Sequence, residues 1–214
     1  MRFLICFYYQ DSSLALLSIV LSLLSGVSAD WQYKSRPDLS PPKLNITIPP
    51  SSLVSPGHIF VAPYTLFPSP KTELYAPLQP APYIFTSTGE LVWSGLGYFS
   101  GLPGNFQAGI YDGKDVLFGF EANWIGKPGN SHGHVKILNQ HYETVKEVRS
   151  GNNRILDSHE FNLLGGKTAL VQSNHPVPYD LSKYGMKRDS QWVLVDTFQG
   201  KPLPGFLTKL ANTD

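Results

Sequence analysis

The 214-residue chain has a single cysteine, Cys6. One thiol cannot close an intramolecular disulfide, and it cannot supply a Cys-based zinc or redox centre. Charge is also scarce, with 15% charged residues and a net charge of +1. A chain so near neutrality offers no electrostatic basis for binding nucleic acid or an anionic membrane surface. Past the first 24 residues there is no long apolar run, and no stretch sustains a 3.6-residue period. Those absences argue against long amphipathic helices. No phosphate loop and no Gly-x-Ser-x-Gly elbow occurs anywhere.

Turn formers and strand formers are abundant. Glycine (19), proline (18) and a 13% aromatic share favour short strands joined by tight turns. The N-terminus has the layout of an export signal. Arg2 supplies a positive charge, Leu14 to Leu24 forms an apolar core, and Val27-Ser28-Ala29 offers small residues before a cut between Ala29 and Asp30. The apolar core falls short of the ~20 residues needed to span a bilayer. A cleaved signal peptide over 1–29 is therefore expected, making the protein secreted; the alternative is an uncleaved membrane anchor. Asn45-Ile46-Thr47 is a glycosylation sequon, meaningful in an exported chain.

Residues 30–56 are proline-rich (Pro37, Pro41, Pro42, Pro49, Pro50) and read as an extended lead-in that wraps a domain. Over 57–200 the pattern changes to β-runs. His58–Ala62 is one; Tyr83–Thr86 and Leu91–Ser94 flank a Gly89 turn as a hairpin; Asp115–Trp124 is another. Gly133–Asn139 and Thr144–Val148 alternate apolar and polar residues, Glu160–Leu164 and Lys167–Gln172 flank Gly165-Gly166, and Gln191–Asp196 follows. The expected class is all-β. Recurrent hairpins point to blades of a β-propeller, with a β-sandwich as the alternative. Strands for only about two to three blades are present where about four or more close a propeller, so an incomplete propeller over 57–200 is expected, followed by a divergent tail over 201–214.

The densest chemistry lies in Gly151-Asn152-Asn153-Arg154-Ile155-Leu156-Asp157-Ser158-His159-Glu160-Phe161. An imidazole that titrates near neutrality can move a proton, an arginine fork can hold an oxyanion, and Asp157 or Glu160 could orient the ring. The plainer reading pairs Arg154 with Asp157 at an outer edge and lets His159 begin a strand. Regular alternation would turn His159 and Glu160 to opposite sides. In Ser131-His132-Gly133-His134, the two histidines share a face if the segment is a strand and could line a ligand channel. No third ligand stands nearby, so neither a metal nor a cofactor is expected. His141 and His175 fall in expected loops, and Trp93, Trp124 and Trp192 close strands, where large rings pack between sheets.

Several segments taken together resemble one family. They are Lys34–Pro42, Ser55–Tyr64, Gly89–Gly95, Gly133–Leu138, Asp157–Phe161, Thr168–Val171 and Gln191–Gln199. In this order, from about Tyr33 to Gln199, they resemble the secreted arylsulfotransferase-like proteins of filamentous fungi. The resemblance implies a six-bladed propeller of which this chain holds the N-terminal blades. It also implies transfer of sulfate from a small aryl sulfate ester to a phenol without a nucleotide donor. His159 would then line the channel; the resemblance carries no further, and Arg154 as a sulfate contact and His132 and His134 as channel lining rest on the residues themselves. The histidine that forms the covalent intermediate is expected beyond these residues, and the 214-residue chain is expected to be inactive by itself. The alternative function is a non-catalytic extracellular propeller that binds a ligand.

Overall fold

The computed structural model describes residues 36–63, 77–124, 131–186 and 192–203. The expected signal segment with Cys6, Ala29 and Asp30, and the tail from 204, lie outside them. The chain is all-β, as expected. The described residues form ten strands, β1 (His58–Val61), β2 (Tyr83–Thr86), β3 (Leu91–Ser94), β4 (Leu102–Tyr111), β5 (Lys114–Trp124), β6 (Ser131–Leu138), β7 (Thr144–Val148), β8 (Ile155–Leu164), β9 (Thr168–Pro178) and β10 (Trp192–Pro202). A single 3₁₀ turn, Ser182–Tyr184, interrupts them among the described residues.

Hydrogen bonding joins the strands into two antiparallel sheets. The small sheet runs β1-β2-β3, and the large one β10-β9-β8-β6-β5-β4 with β7 added on β6. Turn chemistry explains the hairpins. Gly89 takes φ +89 between β2 and β3, and Gly165 and Gly166 take φ +56 and +66 between β8 and β9. Asp112 and Gly113, at φ +51 and +72, make the two-residue link between β4 and β5. Two successive positive φ values give the turn whose twist matches that of its flanking strands.

Alternation along β6 sorts the large sheet into two faces. Val135 and Ile137 join Val116, Phe118, Phe120, Leu156, Phe161 and Val171 in the main core. The large sheet curls over this core until its hairpin tips meet: Asp112 N–H donates to Gly166 O at 2.8 Å, and the Phe118 and Phe161 rings lie 5.1 Å apart. Burying each such side chain contributes about 1.5–3 kcal/mol. The opposite face carries Leu117 and Leu138 at one end, where the small sheet covers them with Phe60, Ile84 and Trp93. Trp93 stacks on Phe106 at 5.7 Å and on Tyr142 at 5.2 Å. Cover stops there. Along β6 the rest of that face carries the polar residues His132, His134 and Lys136.

Part of the proline-rich segment packs on the small sheet. Leu39 is buried, Leu44 packs against Tyr83 and Phe85 of the small sheet, and Gln79 holds the strip through Ser40 N–H (2.5 Å) and Asp38 O (2.6 Å). Asn45 is exposed on it.

Candidate functional site

The polar face is built by three adjoining strands. On β6, His132, His134 and Lys136 alternate with the core residues. On β5, Asn123 and Glu121 stand opposite His132 and His134. Glu147 of β7 stands opposite Lys136.

Beyond β6, strands β7 and β8 form one line. Val148 pairs with Val135 and Leu156 with Gly133, so Arg149–Arg154 is an excursion out of an otherwise continuous strand track. Asn152 and Asn153 turn it with φ +56 and +54, which asparagine tolerates better than most residues. Its ends are anchored: Gly151 N–H donates to Gln199 Oε1 at 2.8 Å, and Lys201 Nζ donates to Arg149 O at 2.6 Å.

Glu121 is the centre of the first cluster. Only 6% exposed, it accepts from Lys136 Nζ at 2.7 Å and from Ser100 N–H at 2.6 Å. His134 Nε2 lies 2.9 Å from its other oxygen, within ion-pair reach, but makes no aligned hydrogen bond. Burial pushes the Glu121 carboxyl up. The hydrogen bonds from Lys136 and Ser100, with the charges of Lys136 and His134, outweigh it and hold the group below its ordinary range. Beside it opens a cleft of about 240 Å³ lined by Ser100, Gly101, Asn123, His132, His134 and Arg149 among others. Two glycines keep its floor low. A Cβ on Gly101 would stand 2.5 Å from Ala122 O, and one on Gly133 would stand 1.8 Å from Glu121 O.

The second cluster lies one strand over. One step from the Gly133–Leu156 pair, the register sets His132 beside Asp157; one step further, Ser131 and Ser158 hydrogen-bond at 2.7 Å. Asp157 is fully buried. Its Oδ1 accepts from the His159 backbone N–H at 3.0 Å and meets the ring Nδ1 of His159 in a short contact, and its Oδ2 accepts from Asn174 Nδ2 at 2.8 Å. The His159 side chain is 59% exposed, so the ring reaches solvent while Nδ1 is held from below. Asn174 has to present its amide nitrogen to the carboxylate, which leaves its buried Oδ1 without a partner. An unmet buried acceptor costs about 1–3 kcal/mol.

A bulge makes this arrangement possible. Leu156 pairs with Ser173 but Phe161 pairs with Val171, so Asp157–Glu160 occupies four positions on β8 against one on β9. Bulges re-aim side chains. Within the bulge Asp157 meets His159 two residues on, a pairing of residues on one side that strand alternation allows. Glu160 turns instead to Asn162.

The structure thus brings His159 and Asp157 together and places His132 and His134 on one cleft. The plain pairing of Arg154 with Asp157 does not occur, because His159 and Asn174 take both Asp157 oxygens. Arg154 makes no side-chain hydrogen bond or ion pair among the described residues, and it is absent from the cleft lining. His175 is a strand residue paired with Val195 rather than a loop residue, while His141 is exposed on a turn as expected. Trp192 is 62% exposed and packs into no core cluster. No group of three metal-binding side chains occurs among the described residues. Glu121, Arg149 and Asn174 are the site residues that the sequence did not single out.

No curated protein and no solved structure matches this chain. Residues 107–203 match the family described as Arylsulfotransferase (ASST), and they include His132, His134, Asp157, His159 and Asn174. Over that segment, the chain is arylsulfotransferase-like.

Proposed function

We propose that this protein binds small aryl sulfate esters on its polar face and serves nucleotide-independent sulfuryl transfer to a phenol. In that reaction the aryl O–S bond breaks, a phenolate leaves, an S–O bond forms to the acceptor, and the acceptor's hydroxyl proton passes to a base. Developing charge falls on the sulfuryl oxygens and the leaving oxygen, where cationic and N–H donors lower the barrier. The observation that carries the reading is the exposed His159 ring, held at Nδ1 by a fully buried carboxylate within the family-matched segment. His159 is the proton-handling residue of this reading. The cleft beside Glu121 offers His132, Asn123 and Arg149 to the anion, and the Arg154 guanidinium, outside that lining, is a further sulfate contact of this reading. Export goes with this reading: the protein recovered from a secreting host begins at Asp30 and carries glycan on Asn45. N-terminal sequencing and a glycosidase mass shift measure both.

Calorimetric titration with 4-nitrophenyl sulfate tests the function. The protein binds it, inorganic sulfate competes, and His159→Ala and Arg149→Ala each weaken binding about tenfold, the worth of one charge-assisted hydrogen bond. Absence of binding by the unmutated chain, or binding that both substitutions leave unchanged, overturns the assignment.

A further inference from the structure

We infer that Asp157, braced by Asn174, is a positioning residue that fixes the tautomer of His159 and leaves Nε2 as its reactive nitrogen. The inference rests on the reading of His159 given above and adds which atom of the ring does the work. Neutral imidazole in water prefers its proton on Nε2, and a carboxylate at Nδ1 reverses that preference by accepting a hydrogen bond from Nδ1–H. Here the carboxylate has no freedom to turn away. Asp157 is fully buried, one oxygen accepts the His159 backbone N–H at 3.0 Å beside the ring nitrogen, and the other accepts the Asn174 amide at 2.8 Å. All three donors converge on it from fixed backbone positions, two of them on the β8 bulge and one on β9.

The Asn174 amide can face only one way. Its nitrogen donates to Asp157, and its oxygen is left buried and unpartnered, an arrangement that packing alone does not call for. The pair reads as a brace: Asn174 holds Asp157, Asp157 holds Nδ1–H, and the Nε2 lone pair faces the open side of the ring. Glu160 and Glu121 do not compete for the role, since Glu160 bonds Asn162, and Glu121 is taken by Lys136 and Ser100.

Long-range ¹H–¹⁵N spectra of histidine-labelled protein, recorded above the pH at which imidazole is protonated, test this directly. The His159 signals are assigned by their loss in His159→Gln, and His141, exposed on its turn, is the reference for an unconstrained ring. The unmutated protein shows Nδ1 protonated and Nε2 bare at His159, with the opposite pattern at His141. Asp157→Asn shifts His159 toward the His141 pattern. Asn174→Ala, the milder change if Asp157→Asn does not fold, shifts it part of the way. A His159 ring protonated on Nε2 in the unmutated protein, or one unchanged by the substitutions, overturns the positioning role even if 4-nitrophenyl sulfate still binds. Loss of the function reading alone would appear as the expected tautomer in a protein that binds no aryl sulfate.

Discussion

Gly133→Ala unfolds the large sheet more readily than any other single methyl addition in the described glycines. The added Cβ would sit 1.8 Å from Glu121 O and 2.8 Å from Glu121 C, both backbone atoms of β5. No side chain can swing aside, so relief requires β5 and β6 to separate where Ala122 pairs with Gly133. Overpacking costs about 1–3 kcal/mol when side chains can adjust, and more when they cannot. A loss of about 3 kcal/mol or more lowers the melting temperature of a chain this size by roughly 10 °C. Gly200→Ala is the control: nothing lies within 4 Å of its added methyl, and its melting temperature stays near that of the parent. Circular dichroism melts of the two variants decide the matter, and equal melting temperatures would refute the close-approach argument.

Glu121→Gln produces the second large effect, and it depends on pH. The substitution leaves Lys136, whose side chain is 17% exposed, facing a neutral amide where a carboxylate stood at 2.7 Å. Removing one partner of a buried ion pair costs about 3–5 kcal/mol, because the remaining charge is stranded. The Glu121 carboxyl is held below its ordinary value of 4.5. A carboxyl depressed in this way contributes stability above its unfolded value, and that contribution is lost as pH falls through the folded one. Urea denaturation at pH 7 therefore shows the variant weaker by about 3 kcal/mol. At acid pH the gap between parent and variant closes. A gap that is the same at both pH values would show that Glu121 acts through packing rather than charge.

The fold class could be read because it depends on local signals. Gly89 and the Gly165-Gly166 pair announced their hairpins, and the alternation of Val135, Ile137 and their polar neighbours announced β6. Strand β4 was missed, since Pro103, Gly104 and Gly109 break its pattern. Asp112-Gly113 was the signal that could have found it, being a two-residue hairpin link with both φ values positive. The functional site was legible only where its partners are sequence neighbours. Asp157 and His159 lie two apart and were named together. Asn174 reaches Asp157 from 17 residues away and Ser100 reaches Glu121 from 21, distances that no local pattern encodes. The β8 bulge was hidden for a similar reason: a bulge is a mismatch between two strands and exists only once both are paired.

The interrupted strand track along β6 has a practical consequence for chain cleavage. Segments 144–148 and 155–164 are each hydrogen-bonded to β6 on their own account, and Gly151 and Arg149 are tethered separately to β10. A protease nick between the exposed Asn152 and Asn153 would therefore sever the backbone without removing either segment from its ladder. The two pieces would stay associated, splinted by the strand that neither of them contains the break in.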